Sequence, residues 1–303
     1  MRAAALLCAL ILASPTAAQS GVCPAWGKAE PFGALDAKLV NEASGLEVSD
    51  RFGDRLYHNN DSGDGLRFYV SGLKGEATRA IDVEGPDPRD IEELSLGPCG
   101  RQTCLYLGDI GDNPGKRDGV VFTLVIEKKA FKDKVKPLRT VRARYPDGAH
   151  NAEAFAVHPN GDLFLVTKPV DARMATPGPA LVYRLTAAQL RNGRDVQTFA
   201  KVGEIDLPTI MAEFPFPGSI ATALDISADG RRALLLTYVA ALVLDFDLAE
   251  GLSGPHQVVR LNTMPQQEAG AWLPDGSGFL YDTELTRGAK AARIDRVVCK
   301  DAP

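Results

Sequence analysis

Short runs of alternating apolar and polar residues fill most of the chain, and turns rich in Pro, Asn, Asp and Gly separate them. The runs come in pairs, as in EAFAVHPNG followed by DLFLVTK and in TALDISADG followed by ALLLTYV. Alternation with a period of two residues, punctuated in this way, is typical of β-hairpins. The pattern therefore predicts an all-β protein.

Five copies of the hairpin align on a polar residue that opens the first run. These residues are Ser44, Glu92, Glu153, Thr222 and Glu268, and successive ones lie 48, 61, 69 and 46 positions apart. Two more strand-like runs usually follow each copy, which gives four strands to a unit. Four-stranded units repeated around a ring form a β-propeller. We therefore predict a β-propeller of four-stranded blades with five counted copies, room for a degenerate sixth blade, and a ring that closes near the termini.

The two longest spacings require insertions, at residues 171–180 and 209–220. The second segment, TIMAEFPFPGSI, is rich in Pro and Phe, and we expect it to lie over one face of the ring. Between the insertions, Thr186 is expected to cap one short helical turn, because threonine accepts hydrogen bonds from the first free amides of a helix. A β-sandwich is the alternative fold, but it would not explain the recurring polar residue.

The start of the chain has the pattern of a secretory signal peptide. Arg2 precedes an apolar run too short to span a bilayer, and Thr16-Ala17-Ala18 offers small residues for cleavage. No later segment holds about 18 or more consecutive apolar residues, so no membrane span is expected. The sequence thus predicts a signal peptide at residues 1–18 and a propeller domain at 19–303, secreted or periplasmic.

Four cysteines remain after cleavage, since Cys8 belongs to the leader. An even number in an oxidising compartment indicates two disulfides. The four are Cys23, Cys99, Cys104 and Cys299, and three pairings are open. The spacing favours Cys99 with Cys104, across a short turn, and Cys23 with Cys299, which would fasten the two ends of the ring. A zinc site is disfavoured because the chain has no C-x-x-C pair.

The charge balance narrows the choice of partners. The chain has 34 Lys and Arg against 39 Asp and Glu, for a formal net charge of −5. Proteins that bind nucleic acids present a basic face to phosphates, so no nucleic-acid partner is expected. The balance favours a partner that is a cation or is held by one. No G-x-S-x-G elbow and no P-loop pattern is found, which disfavours an ordinary serine hydrolase and a P-loop protein.

In a propeller, the starts of the innermost strands and the ends of the second strands meet at one mouth of the central channel. The predicted metal ligands there are Glu92, Glu153, Glu268, Asp109 and Asn60. Several carboxylates on a narrow axis cannot all stay ionised without a counter-charge. A hard cation bound by about six to eight oxygens meets that need, and calcium fits such a site better than magnesium. The sequence therefore predicts a calcium site at this mouth.

Three alternatives stay open at this mouth. Asp90 could take the place of Glu92, because two adjacent glutamates make the register ambiguous. Lys168 could neutralise the carboxylates by itself and remove the need for a cation. The acidic glycine-rich strings that contain Asp61 and Asp112 are weaker ligand candidates, because turn formation alone explains most of their residues.

Further candidates come from equivalent positions in other units. His58, at the end of a second strand, is the candidate general base or anion contact. A rim histidine without a role is the alternative. Lys168 and Tyr238 are the candidate substrate contacts.

The stretches HNNDSGD, GDIGDN, YPDGAHNAEAFAV and LFLVTK together resemble a group of secreted bacterial propeller proteins of uncertain function. More distantly, the repeated x-E-[AG]-h-A-h-x-P-x-G pattern, with h apolar, resembles the inner strands of phytase-like, gluconolactonase-like and NHL-type propellers. The likeness spans residues 43–284. The phytase-like resemblance implies calcium that bridges carboxylates and a phosphate, although the dense basic cluster expected for inositol phosphates is missing.

The lactonase-like resemblance implies one axial calcium. Its ligands would be Glu153, Glu268 and either Asn60 or Asp109, with His58 as the base. The predicted function is thus a calcium-type site that binds or hydrolyses a small oxygen-rich substrate, a phosphoester or a lactone. An enzyme of this kind would be a metal-dependent hydrolase. The rival hypothesis is a non-enzymatic envelope scaffold or protein-interaction propeller, which holds a partner through its other face or through the 171–220 inserts.

Overall fold

Twenty-five β-strands, two short α-helices and one 3₁₀ helix form the regular structure of the described residues. In this computed structural model those residues are 23–168, 170–171, 176–248, 251–252, 254, 256–262, 264, 266–285 and 291–300. Apart from one separate two-stranded hairpin, the strands form five sheets, each built on four antiparallel strands, which stand as blades in a ring. The predicted β-propeller is confirmed with five blades, and no sixth blade occurs within the described ranges.

The strands of each blade follow one another along the chain, from the channel outward. Two N-terminal strands, β1 (Ala25–Trp26) and β2 (Glu30–Ala34), belong to the last blade. Blade 1 contains β3 (Ala43–Val48), β4 (Arg55–Asn60), β5 (Arg67–Gly72) and β6 (Arg79–Val83). Blade 2 contains β7 (Ile91–Pro98), β8 (Thr103–Asp109), β9 (Val120–Ile126) and β11 (Arg139–Arg144). The short β10 (Lys134–Val135), between β9 and β11 in the chain, pairs in parallel with β6 of blade 1.

The remaining blades carry the insertions. Blade 3 contains β12 (Ala152–Val157), β13 (Leu163–Thr167), β16 (Ala180–Leu185) and β18 (Ala200–Ile205), and a separate small hairpin of β14 (Val170–Asp171) and β15 (Thr176–Pro177) lies between β13 and β16. Between β16 and β18 the chain forms α1 (Ala187–Arg191) and the short β17 (Gln197–Thr198), which pairs in parallel with β11 of blade 2. Blade 4 follows α2 (Leu207–Ile210) and the 3₁₀ helix (Phe216–Ser219), and contains β19 (Ala221–Ile226), β20 (Arg232–Thr237), β21 (Ala240–Asp245) and β22 (His256–Arg260). Blade 5 contains β23 (Ala269–Trp272), β24 (Gly278–Asp282) and β25 (Arg293–Lys300).

The ring closes where the last strand meets the start of the chain. β25 pairs antiparallel with both β1 and β2, so N-terminal residues supply the outer edge of blade 5. A disulfide between Cys23 and Cys299 joins the same two segments. A second disulfide joins Cys99 and Cys104 across the β7–β8 turn. Both predicted pairings are confirmed.

The disulfides are consistent with an oxidising compartment, where such bonds persist. Nowhere in the described part of the chain is there a helix with the length and apolar character that a bilayer span requires. The predicted signal peptide at residues 1–18 lies outside the described residues. Secretion therefore stays a prediction.

Five inner strands, β3, β7, β12, β19 and β23, surround the axis of the ring. Each packs against the next, and β23 packs against β3. We call the end of the channel where these strands begin the upper mouth, and the end where they finish the lower mouth. Apolar clusters fill the spaces between blades and include the edge-to-face rings of Phe122 and Phe155, 5.2 Å apart.

Hydrogen bonds tie neighbouring inner strands together at both ends. Near the upper mouth, the Ser44 hydroxyl donates to the Glu92 carbonyl at 2.5 Å, and the Thr222 hydroxyl donates to the Gln267 carbonyl at 2.9 Å. Toward the lower mouth, a side chain on one strand accepts from a backbone N–H of the next. The accepting and donating pairs are Glu47 and Leu96, Ser95 and Val157, and Asp225 and Trp272, at 2.9, 3.1 and 2.6 Å.

A glutamate from blade 2 occupies the middle of the channel. Glu93 is 1% exposed, and its Oε1 accepts from the N–H of Leu94 at 3.0 Å. The backbone of Gly45 in blade 1 makes room for it, because a Cβ there would lie 2.8 Å from Glu93 Oε1 and 2.1 Å from Asn59 Oδ1. Burial raises the pKa of Glu93 well above its ordinary value, although the N–H groups of Leu94 and Leu224 act in the opposite direction.

The predicted helical turn and the second insertion are also confirmed. Thr186 caps α1 through a capping box with Gln189, whose N–H donates to the threonine hydroxyl at 3.3 Å. In the 209–220 segment, the backbone of Gly218 packs against Phe214 and Val239. Val239 lies in the β20–β21 turn, so this segment covers the upper face of blade 4. Of the 171–180 insertion, residues 172–175 lie outside the described ranges.

Candidate functional site

Irregular pairing in the inner strands directs the recurring polar residues out of the strand alternation. The register shifts in four blades, around Ser44, Glu92, Glu153 and Thr222. A residue in a β-bulge leaves the alternation, and its side chain is re-aimed. In blade 5, Glu268 directly precedes β23. The polar residue that marks each repeat in the sequence is therefore a bulge residue at the upper mouth in four of the five blades.

Three carboxylates from blades 1 and 2 converge at this mouth. One oxygen of each of Asp61, Asp90 and Glu92 lies within 4.8 Å of the other two. Asp61 directly follows β4, while Asp90 precedes β7 and Glu92 is its second residue. The side chains of Asp61 and Asp90 share a hydrogen bond. We call this group the three-carboxylate cluster.

The cluster depends on a glycine in the stretch LYLGDIGDN. The N–H of Gly111 donates to the Asp90 carbonyl at 3.2 Å. A Cβ at Gly111 would lie 2.2 Å from Glu92 Oε1 and 2.3 Å from Asp90 Oδ2. The absence of a side chain therefore leaves the space into which two of the carboxylates extend.

A second polar group comes from blades 3, 4 and 5. The Lys168 ammonium donates to Glu153 Oε1, and it also donates to the Tyr238 hydroxyl at 3.0 Å. Tyr238 in turn donates to Glu268 Oε1 at 2.8 Å. The carboxyl groups of Glu268 and Glu284 share a further hydrogen bond. The three blades are thus connected by one chain of hydrogen bonds, which we call the Lys168 chain.

Electrostatics links the two groups into a single site. The Asp61 carboxylate raises the pKa of each of five other carboxyl groups at this mouth, which places it near all of them. The five are Asp90, Glu92, Glu153, Glu268 and Glu284. The same groups are surrounded mostly by negative charge, because the site lies where several acidic strand ends meet.

Burial is the largest cause of the raised pKa values, and neighbouring carboxylates add to it. The pKa of Asp90 rises to about 6, that of Glu153 to about 7 and that of Glu284 to about 8. For Glu153, the Lys168 ammonium acts in the opposite direction. The pKa of Glu92 rises well above its ordinary value, with Glu153 as the main charged neighbour. The site therefore retains protons near neutral pH unless another cation replaces them.

Asp109, a predicted metal ligand, already has partners. Its Oδ1 accepts from the Arg117 guanidinium at 2.7 Å and from the Asp90 N–H at 3.0 Å. The two charged groups are 13% and 9% exposed. Asp109 is not part of the three-carboxylate cluster. The structure therefore places it in an ion pair beside the cluster, where it supports the backbone of Asp90.

Asn60, also a predicted ligand, is likewise engaged. Its Nδ2 donates to the Leu39 carbonyl at 2.9 Å and to the Tyr69 hydroxyl at 3.2 Å. Its Oδ1 accepts from the Glu42 N–H at 3.2 Å. These bonds fasten the segment that leads into β3. The carboxylate that joins Asp90 and Glu92 at the mouth belongs to the next residue, Asp61.

His58, the candidate base, is fully buried between blades 1 and 5. Its exposed fraction is 0%, and burial lowers its pKa to about 3. Its Nε2 lies 3.2 Å from the Ser71 hydroxyl, and its Nδ1 lies 3.8 Å from Asp282 Oδ2. The enclosed imidazole does not line the upper mouth, where the base was predicted.

Other predicted residues lie together as expected. Glu92, Glu153 and Glu268 share the upper mouth, and Lys168 and Tyr238 bridge between the last two. Asp61 was expected mainly to form a turn, and its Oδ1 does accept from the Ser62 N–H at 2.5 Å. Its carboxylate also belongs to the cluster. The signal in the sequence was its position, one residue beyond the end of a second strand.

Comparisons with known proteins do not assign the chain to a family. The chain matches no protein-family model and no curated protein. Among solved structures, it is similar to hydrazine synthase of Kuenenia stuttgartiensis, with 11% identity and a TM-score of 0.43 over 80% of this chain and 56% of that chain. It is also similar to a nidogen–laminin complex, with 12% identity and a TM-score of 0.44 over 80% of this chain and 72% of that chain.

These likenesses carry no conclusion about activity, because both TM-scores and both identities are low. The chain spans little more than half of the hydrazine synthase chain. The propeller fold rests on the strand pairing described above. The resemblance to phytase-like, gluconolactonase-like and NHL-type propellers stays a prediction from the sequence.

Proposed function

We propose that the protein binds a divalent cation, calcium by preference, at the upper mouth, and through it a small oxygen-rich ligand. The observation that carries the proposal is the convergence of Asp61, Asp90 and Glu92, with oxygens within 4.8 Å of one another. Carboxylates at such distances repel unless protons or a metal ion separate them. A calcium ion uses oxygen ligands of this kind.

The charge balance of the mouth supports the same proposal. Six carboxyl groups face one another there: Asp61, Asp90, Glu92, Glu153, Glu268 and Glu284. Two basic side chains favour the ionised forms of these carboxyl groups: Arg117 acts on Asp90, and Lys168 acts on Glu92 and Glu153. Each basic group is already paired, Lys168 with Glu153 and Arg117 with Asp109. A further positive charge would therefore relieve repulsion that the chain itself leaves in place.

The expected preference for calcium follows from the ligand set. The cluster offers three carboxylates on flexible side chains and no fixed octahedral arrangement, which suits calcium better than magnesium. Asp61 and Asp90 are only partly buried, so an ion held by them would keep coordination positions open toward solvent. A ligand oxygen can fill these positions, and the Lys168 chain lies beside them to contact the rest of the ligand.

The direct test is calcium binding by the wild-type protein and by Asp90→Asn. We expect the wild type to bind calcium in a titration after EDTA treatment, and to melt at a higher temperature when calcium is present. Asp90→Asn should weaken calcium binding by about tenfold or more, because mutation of a residue that only orients a metal ligand already lowers metal affinity by about that factor. The matched control is Asp87→Asn, an exposed aspartate three residues earlier in the same loop.

A cation-dependent hydrolase is the second candidate. The observation that favours it is Glu153, a buried carboxyl group with a pKa of about 7, beside Lys168 at the same mouth. A group that titrates near neutral pH can accept a proton from water during hydrolysis. Turnover of a phosphoester or lactone that calcium supports, EDTA abolishes and Glu153→Gln removes would establish the hydrolase. Calcium binding without turnover would leave a binding protein.

The result that contradicts the cation site is equally plain. A protein that carries no calcium, and whose melting temperature responds neither to calcium nor to EDTA, does not use this mouth as a metal site. The rival hypothesis, a scaffold that holds a partner protein, would then account for the fold better.

A further inference from the structure

We propose a second ligand site at the lower mouth, which takes the ammonium group of a small aliphatic amine. A pocket of about 220 Å³ lies there, between the ends of the inner strands and the neighbouring turns. Four carboxylic residues line it: Glu47, Asp50, Glu127 and Asp225. This site is separate from the proposed cation site and does not depend on it.

Glu127 provides an acceptor that the fold leaves unused. Its side chain is 2% exposed, and its Oε1 accepts from the Ser49 hydroxyl at 2.6 Å and from the Tyr57 hydroxyl at 3.1 Å. Its Oε2 has no hydrogen-bond partner among the described residues. A buried carboxylate oxygen without a donor is costly. An N–H donor that enters the pocket would satisfy it.

The pocket also has more negative than positive charge. Asp50 lies at the exposed rim of the pocket. Partial burial of its carboxyl group raises its pKa, and the nearby Glu127 carboxylate raises it further. Arg51 is the one basic residue among the described residues that line the pocket, and its guanidinium stacks over Phe52 at 5.4 Å. Glu47 and Asp225 are occupied by backbone N–H groups. Asp50 and Glu127 are therefore the carboxylates with capacity for a ligand.

An amine fits this pocket better than a metal ion does. Among the described residues, only the three-carboxylate cluster of the upper mouth brings three acidic ligand atoms within 4.8 Å of one another. The lower pocket has several times the volume of one water molecule, which occupies about 30 Å³ in the liquid. The walls between the lower carboxylates are apolar, from Leu96, Val157, Pro159, Ile226 and Leu273. Methylene groups pack on such walls while the ammonium group donates to the carboxylates.

The two proposed sites share no residue, because Asp61, Asp90 and Glu92 do not line the lower pocket. Burial raises the pKa of Glu93, and the nearby Glu47 and Asp225 carboxylates raise it further, so Glu93 lies close to the lower carboxylates. Each site can therefore be tested with its own variants.

The test is a binding titration with 1,5-diaminopentane, with 1,5-pentanediol as the neutral control of equal length. We expect the diamine to bind, to raise the melting temperature and to lose affinity as salt increases, while the diol does not bind. Glu127→Gln should weaken diamine binding by about tenfold, the effect of about 1.4 kcal/mol in a charge-assisted hydrogen bond. Asp50→Asn, at the exposed rim, should weaken it by a smaller factor and keeps the proposal testable if Glu127→Gln does not fold.

The upper-mouth variant Asp90→Asn should leave diamine binding unchanged, which separates this proposal from the calcium site. No binding of the diamine at millimolar concentrations would overturn the proposal. Equal binding of diamine and diol would overturn it as well, because charge would then play no part. So would equal diamine affinity in the wild type, Glu127→Gln and Asp50→Asn.

Discussion

The two mouths of the channel are both acidic, yet their carboxylates have different partners. At the lower mouth, Glu47 and Asp225 accept hydrogen bonds from backbone N–H groups of the next blade, at 2.9 and 2.6 Å. At the upper mouth, Asp61, Asp90 and Glu92 approach one another instead. Burial raises the pKa of both lower carboxylates, but two backbone N–H groups favour the ionised form of each. At the upper mouth, neighbouring carboxylates raise the pKa of Asp90 and Glu92 further, and no backbone N–H is among the causes that oppose them. The lower pair therefore ties neighbouring blades together, whereas the upper cluster is the group that a further cation would relieve most.

The origin of the difference is local backbone geometry. The lower residues keep the strand alternation, so each side chain reaches across to the neighbouring strand. The upper residues stand in or beside bulges, where the alternation is broken and the side chain is re-aimed. Acidic residues at the two mouths thus acquire different roles.

Replacement of a lower carboxylate should have the largest effect. Asp225→Ala would leave the buried N–H of Trp272 and that of Ile226 without their side-chain acceptor. We expect the free energy of unfolding to fall by about 1–3 kcal/mol, the cost of unsatisfied buried donors. Chemical denaturation would measure it. Asp225→Asn is the matched control and should retain most of the stability, because the amide oxygen still accepts.

An equal loss in Asp90→Ala would break the comparison between the mouths. Asp90 at the upper mouth repels its neighbours, so its removal should cost far less in calcium-free buffer. If both variants lost the same stability, the upper cluster would be as structural as the lower pair.

The next effect is the dependence of stability on pH. Folding raises the pKa of Glu153 from 4.5 to about 7 and that of Glu284 from 4.5 to about 8. The folded state therefore binds protons that the unfolded chain has already released, and stability falls as pH rises toward these values. His58, with its pKa lowered from 6.5 to about 3, acts in the opposite direction but only below about pH 6.5.

We therefore expect the melting temperature in EDTA to fall between about pH 6.5 and pH 8, and the fall to be smaller in Glu284→Gln. Calcium should also reduce the fall, because the ion replaces the protons that the cluster loses. Scanning calorimetry at the two pH values, with EDTA or with calcium, gives the measurement. A melting temperature in EDTA that stays constant or rises over this interval would contradict the raised pKa values of Glu153 and Glu284.

The comparison also shows what could be predicted from the sequence. The hairpin repeats, the closure of the ring and both disulfides followed from local alternation and from cysteine spacing. The upper mouth was located because the starts of first strands and the ends of second strands must meet in a propeller. Glu92, Glu153, Glu268, Lys168 and Tyr238 were accordingly placed at one mouth.

The identity of the converging carboxylates could not be predicted in the same way. Asp109 ends the second strand of blade 2, and Asp61 directly follows the second strand of blade 1, but Arg117 pairs with Asp109. That pairing depends on how the residues after β8 fold back, which no spacing rule describes. His58 was expected at the rim because it ends a strand, yet its side chain points into the space between blades 1 and 5. Long-range packing decided each of these cases.

The smallest expected effect on stability comes from Gly111→Ala, which should move carboxylates of the upper cluster without removing them. Gly111→Ala adds a Cβ that would lie 2.2 Å from Glu92 Oε1 and 2.3 Å from Asp90 Oδ2. The atoms that must move are the ends of flexible side chains, so the free energy of unfolding should change by less than about 1 kcal/mol. Calcium affinity should fall, because the displaced oxygens no longer converge.

The matched control is Gly53→Ala, where a Cβ meets no atom within 4 Å. Calcium titration and denaturation of both variants provide the two readouts. If Gly111→Ala bound calcium as well as Gly53→Ala does, Glu92 and Asp90 would not act together as ligands. If it instead lost stability without any change in calcium affinity, the glycine would serve only the packing of the loop. A loss of affinity at unchanged stability would show that calcium binding depends on the positions of the carboxylate oxygens in the upper cluster. The lower pair, by contrast, contributes to stability through its backbone donors.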